Sequence, residues 1–429
     1  MCLVLVACTV PTTSVVTRVP TTTPMDPMHA STSALSLRGD TGFEARDLSP
    51  ELRELHTRMW GTLRDPANLR SARDQANSDD IYRYGRTFGG HVTAVLTALR
   101  VTGDLELLDY IDDLAERMRA ELADGWRSTR DRTDGTRDGY LNWVYRYSAT
   151  PSHQGKDTRV IDDIQTHAVV AHFAHAFAIN SDQVSPAGID YAERAEFWTD
   201  YLVNHFEAKW RERNDVPSGF PFIVRTQTTT YYAWTRWHYY MWKLTGQEAY
   251  LREAHAMAGN IWAEIRVVDG ASGPAYVWAS GLLELGDSQR RLQPTNYLSV
   301  VYGAIVDFHM EGFHNWASTD HMRAFTRTLT EFVIDSDDPM SNGFAPDIGG
   351  GVRRARLEVD RSSSRRTVDW FRTSQLGLIA AWDEPNGPLI SLLSDAESIF
   401  TGEADTSILT SGLYLAHWLR SYSDAAHRD

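Results

Sequence analysis

The chain has 429 residues, 42% of them hydrophobic, and a formal net charge of −15. This is ordinary globular material with enough apolar side chain for a large core. No stretch reaches the ~18 consecutive apolar residues of a membrane helix, and the acidic balance argues against a general nucleic-acid binder, which must neutralise phosphates.

The first eight residues, MCLVLVAC, run a short apolar stretch into Leu5-Val6-Ala7-Cys8. This resembles a bacterial lipoprotein box without a charged leader before it. Residues 1–8 therefore read as a signal remnant, Cys8 as a candidate lipid anchor, and the protein as secreted or held at the bacterial cell surface or periplasm. Both cysteines, Cys2 and Cys8, lie here, so no disulfide is expected in the folded part. Residues 9–45 are Thr-, Ser- and Pro-rich as far as Arg38 and read as a disordered tether. Residues 46–429 are expected to form one domain.

That domain is expected to be all-α. Val92, Val95, Leu96 and Leu99 mark one helix face. Thr102-Gly103-Asp104 then offers a C-terminal glycine and an Asp cap for the next helix, which carries Leu107, Leu108, Ile111, Leu114, Ala115 and Met118. Thr245-Gly246-Gln247 repeats the joint. Helical hairpins recur every fifty to seventy residues, which predicts an array closing into an α/α toroid. Loops such as ASGPAYVWASG and SNGFAPDIGGGV are candidates for short strands.

In such a toroid the inner helices start at one end and their first turns share a cleft. The predicted starts are YRYGRTF with Arg86, IDDIQTH with His167, the segment from Arg225 through Tyr231 and Tyr232, PTNY with Asn296 and Tyr297, and RTSQ with Arg372. They are rich in Arg, His, Asn, Tyr and Thr and poor in paired carboxylates. Lysine occurs only at Lys156, Lys209 and Lys243, so an anion site would be built on arginine, which suits bidentate carboxylate contacts. Free N–H groups and partial positive charge at helix starts favour anions as well. Asp162-Asp163 and Asn296 have a plainer reading as helix caps. His91, His172, His175, His255, His309, His314 and His321 lack metal-ligand spacing, and no cofactor motif is present. Neither a metal nor a cofactor is expected.

Breaking a uronate chain by β-elimination requires neutralising the sugar carboxylate and moving a proton with a base and an acid, for which tyrosine suffices. An Arg225 followed by Tyr231 and Tyr232, with His167 and Asn142, resembles the polysaccharide lyases of the alginate lyase type. The resemblance implies an α/α toroid, lyase activity on alginate, glucuronan or a similar anionic polysaccharide, and catalytic roles for those five residues. The adjacent Asn-His pair of better-known alginate lyases is missing. His238, Trp234, Asn296, Tyr297, Arg86 and Arg372 are expected to bind substrate. Six arginines between Gly349 and Trp370 suggest a mobile lid or a solvated loop. The alternatives are an α/α-barrel glycoside hydrolase using Asp163 or Asp80 with Asp347 or Asp369, and a non-catalytic glycan-binding lipoprotein.

Overall fold

A computed structural model describes residues 17–18, 36–129, 132–147, 151, 154–157, 159–213, 227–281, 292–294, 297–333, 379–383, 387 and 389. The chain is mostly helical, as its periodicity predicts. Helices α1 (Pro50–Arg64) and α2 (Pro66–Ala76) begin on proline after Ser49 and Asp65, whose side chains accept from first-turn amides. Next come α3 (Ile81–Arg83), a π-helical turn over Tyr84–Phe88 and α4 (Gly89–Thr102). Gly103 ends α4 in the left-handed region at φ 74°, and the Asp104 side chain accepts from Glu106 N to start α5 (Leu105–Ala120). The predicted joint is therefore present.

A hairpin of β2 (Ala123–Thr129) and β3 (Arg132–Asn142) follows, in a stretch whose polar sequence lacks strand alternation. Then come α6 (Val160–Ile179), α7 (Tyr191–Tyr201), a π turn over Leu202–Glu207 and α8 (Ala208–Glu212). Helices α9 (Thr228–Thr245) and α10 (Glu248–Glu264) meet at Gly246, φ 68°. Strands β4 (Arg266–Asp269) and β5 (Pro274–Val277) pair antiparallel, β5 lying in the first loop expected to carry a strand. The second such loop and the arginine-rich segment lie outside the described residues. Helices α11 (Leu298–Met310) and α12 (Thr319–Thr328) follow, with a π turn over Leu329–Val333.

Four helices carry the core. α4 packs on α6, α6 on α9, α9 on α11, and α11 returns to α4. α6 is buried from Val160 to Phe177 and α9 from Thr228 to Met241, as expected of helices covered on all sides. α5, α7 and α10 pack outside α4, α6 and α9 in turn. Among the described residues, no helix is long and apolar enough to cross a membrane.

The stretch expected to be tether is in part docked. Thr17–Arg18 forms β1, paired with Val267 and Arg266 of β4. Leu37 is buried, Gly39 N donates to Asn180 Oδ1 at 2.6 Å, and Asp40 N donates to Gly103 O at 2.8 Å. The folded part thus begins by residue 36 rather than 46, held by the buried Leu37 side chain and by backbone N–H groups that find distant acceptors.

Candidate functional site

The first halves of α4, α6, α9 and α11 surround one cleft of about 430 Å³, open space at its mouth included. The π turn and α4 contribute Gly85, Arg86, Gly89, Gly90 and Thr93. α6 contributes Gln165, Ala168 and Val169, α9 contributes Ala233 and Arg236, and α11 contributes Val300, Gly303 and Ala304. Small residues on all four helices make the space. A Cβ at Gly303 would meet nothing within 4 Å. Gly85 serves a different purpose: a Cβ there would come within 2.9 Å of Asp162 O and Gln165 Cβ, so glycine lets the π turn lie flat on α6. Turns of this kind recur at functional sites.

The polar groups on the wall are Arg86, Gln165, Thr93 and Arg236, and no carboxylate is among the described lining residues. Arg86 donates through Nε and Nη2 to Asp162 Oδ1 at 3.0 and 2.9 Å. Its guanidinium lies 4.9 Å from the Tyr82 ring centre and 5.5 Å from that of Tyr297. Burial opposes the Arg86 charge, but Asp162 and the two phenols outweigh it and raise its pKa. Gln165 is 2% exposed, and neither its Oε1 nor its Nε2 has a hydrogen-bond partner among the described residues.

Arg236 forms the floor. Its Nη2 lies 2.5 Å from Asp307 Oδ2, 2.7 Å from His172 Nδ1 and 3.2 Å from Thr93 Oγ1. Burial, with Arg236 and Arg100 close by, keeps the His172 ring neutral, so Nδ1 accepts and Nε2 carries the proton. Burial raises the Asp307 carboxyl against the opposing pull of Arg236 and Arg100. Below the floor the polar axis continues. Arg100 pairs with Glu311 and donates to Tyr240 at 3.2 Å, while Lys243 reaches Glu311 at 3.4 Å.

The residues expected to form the site divide into four groups. Arg86 lines the cleft, and the Tyr297 ring lies 5.5 Å from its guanidinium. Asn142 and His167 meet in a separate buried node around Asp163 of α6. Asp163 accepts from Asn142 Nδ2 at 2.9 Å, Lys209 Nζ at 2.7 Å and Trp210 Nε1 at 2.5 Å. His167 Nε2 lies 2.8 Å from Tyr201 Oη. Burial resists the Asp163 charge, but Lys209 and His167 hold its carboxyl far below the usual range. Asp163 is therefore the centre of a sealed ion-pair node, not a helix cap. Asp80 is buried too, accepting from the backbone N–H of Tyr82 and Arg146.

The third group sits on α9 but faces away from the cleft. The Tyr231 hydroxyl accepts from Asn260 Nδ2 at 2.9 Å. Tyr232 is fully buried against the Trp316 ring, without a regular hydrogen bond from its hydroxyl, and burial raises its pKa. Trp234 packs on Phe206, and His238 Nδ1 donates to Trp234 O at 2.9 Å beside Trp237 and Tyr250. Arg225, Asn296 and Arg372, with Asp347 and Asp369, make up the last group and lie outside the described residues.

Gln165, Thr93, Arg236 and the glycines were not singled out from the sequence. Their signal was the spacing of small residues across the helices, Gly85 in the π turn and Gly89 at the start of α4, and Ala233 three residues before a lone mid-helix arginine. No protein-family model matches the chain, and neither a curated protein nor a solved structure does.

Proposed function

We propose that the chain is an α/α toroid that takes a carboxylate-bearing polysaccharide into the four-helix cleft and cleaves it by β-elimination, as a polyuronate lyase. One observation carries this reading: a cleft at the shared N-terminal side of four buried helices holds two arginines and an amide, and no carboxylate lines it among the described residues. Helix starts and arginine both favour anions. The Tyr82 and Tyr297 rings lie 4.9 and 5.5 Å from the Arg86 guanidinium, and the exposed Tyr147 stacks on Tyr82 at 4.2 Å, adding aromatic surface for sugar. The described lining residues include no acid pair, whereas the glycosidase reading requires two carboxylates flanking the bond.

In this proposal arginine neutralises the sugar carboxylate and so acidifies the adjacent carbon. Tyr297, half-buried beside Arg86, replaces Tyr231 and Tyr232 as the phenol that removes the proton. The electron pair forms a carbon–carbon double bond, the glycosidic carbon–oxygen bond breaks, and the leaving oxygen takes a proton. The test is a panel of polyuronates followed by ultraviolet absorbance of the unsaturated product. Tyr297→Phe is expected to lower turnover by ~10²–10⁴, with Tyr231→Phe and Tyr232→Phe near wild type. Binding without turnover across the panel would leave the glycan-binding reading in its place.

A further inference from the structure

Gln165 differs from the other polar groups of the cleft wall. Arg86 is held by Asp162, and Arg236 by Asp307 and His172. Gln165 lines the cleft with both amide atoms buried and unpartnered among the described residues, while its Cβ packs against Gly85. A desolvated amide without partners weakens the empty protein, so the fold does not account for this choice of side chain. An apolar residue of the same length would fill the position at no such penalty.

The chemistry of the two unpaired atoms limits what meets them. A carboxylate only accepts and would leave Oε1 unpaired, whereas an ammonium only donates and would leave Nε2 unpaired. A hydroxyl does both, and neighbouring sugar hydroxyls match the two ends of an amide. We infer that Gln165 is the specificity-determining residue of the cleft, reading free hydroxyls of the bound uronate beside the arginines that take its carboxylate. Oε1 accepts a hydroxyl proton and Nε2 donates to a hydroxyl oxygen. This rests on the polyuronate reading and narrows it to uronates whose ring hydroxyls are not acylated. An O-acetyl group has no proton to donate to Oε1.

The test compares Gln165→Met with the wild type in calorimetric titrations of one oligouronate and its O-acetylated form, with melting temperatures of the empty proteins. Gln165→Leu guards against a misfolded variant. The wild type is expected to prefer the free hydroxyl form. Gln165→Met is expected to melt at the same temperature or higher, to bind the free form about ten- to a hundredfold more weakly, and to lose the preference. A wild type that binds both forms equally, or a variant that keeps the wild-type preference, overturns the role of Gln165. A wild type that binds neither form overturns the polyuronate reading itself, and this inference with it.

Discussion

Replacing Lys209 by Met tests whether the Asn142–Asp163–His167 node holds the fold or performs chemistry. Lys209 and Asp163 are both fully buried, 2.7 Å apart, and a second carboxylate, Asp157, lies 3.8 Å from the same ammonium. Methionine keeps the length and the packing against Phe206 and Trp210 but removes the charge. Asp163 would keep the neutral donors Trp210 and Asn142 and lose its cation. Removing one partner of a buried pair costs about 3–5 kcal/mol, because the remaining charge is uncompensated. The assay is urea unfolding, with a lower midpoint at unchanged slope. Adding Asp163→Asn removes the stranded charge, so the double variant should recover most of the loss, a coupling that the double-mutant cycle reads directly. Ligand binding per folded molecule should be unchanged, since neither residue lines the cleft. A single variant that loses under about 1 kcal/mol, or a double variant no better than the single, would refute the argument.

Gly303→Leu should raise the melting temperature while abolishing ligand binding, because glycine inside a helix costs roughly 0.5–1 kcal/mol relative to alanine and the new side chain enters open cleft. Unchanged affinity in that variant would move the site elsewhere. Acid should destabilise the protein early. Burial lowers His91, His175 and His238 from 6.5 to about 4, so above pH 6.5 both folded and unfolded chains leave them neutral. Between pH 6.5 and about 4 only the unfolded chain takes up those protons, and stability falls as pH falls, by about 2 kcal/mol per histidine at pH 5. A melting temperature that stays level from pH 7 to pH 5 would contradict this.

The helical framework was legible because its signals are local. Gly103 and Gly246 occupy left-handed positions that glycine favours, and α6, α9 and α11 begin where the polar junctions of the sequence place them. The hairpin of β2 and β3 was not legible, since its Arg-, Asp- and Thr-rich strands lack alternation. The docking of residues 36–40 was missed because it rests on Asn180 and Gly103, each far away in sequence. Within the site, Arg86 was legible as a cation at a helix start. Tyr231 and Tyr232 were chosen by their spacing from Arg225, but each step along a helix turns a side chain by about 100°. Ala233 and Arg236 face the cleft, with Tyr240 and Lys243 continuing on the same stripe toward Glu311, and the two tyrosines are turned toward α10 and Trp316. Sequence spacing carries no record of that rotation. Nor does it show that Gln165, already present in the quoted IDDIQTH, would be left without a partner.

Carboxylate recognition by the cleft is tested by a calorimetric titration of the wild-type protein with an oligouronate and with the same oligosaccharide methyl-esterified at every carboxylate. The charged form is expected to bind with measurable affinity, lost on esterification and weakened by rising salt, because the cleft arginines recognise the carboxylate itself. Equal binding of the two forms, or no binding of the charged one, would contradict it.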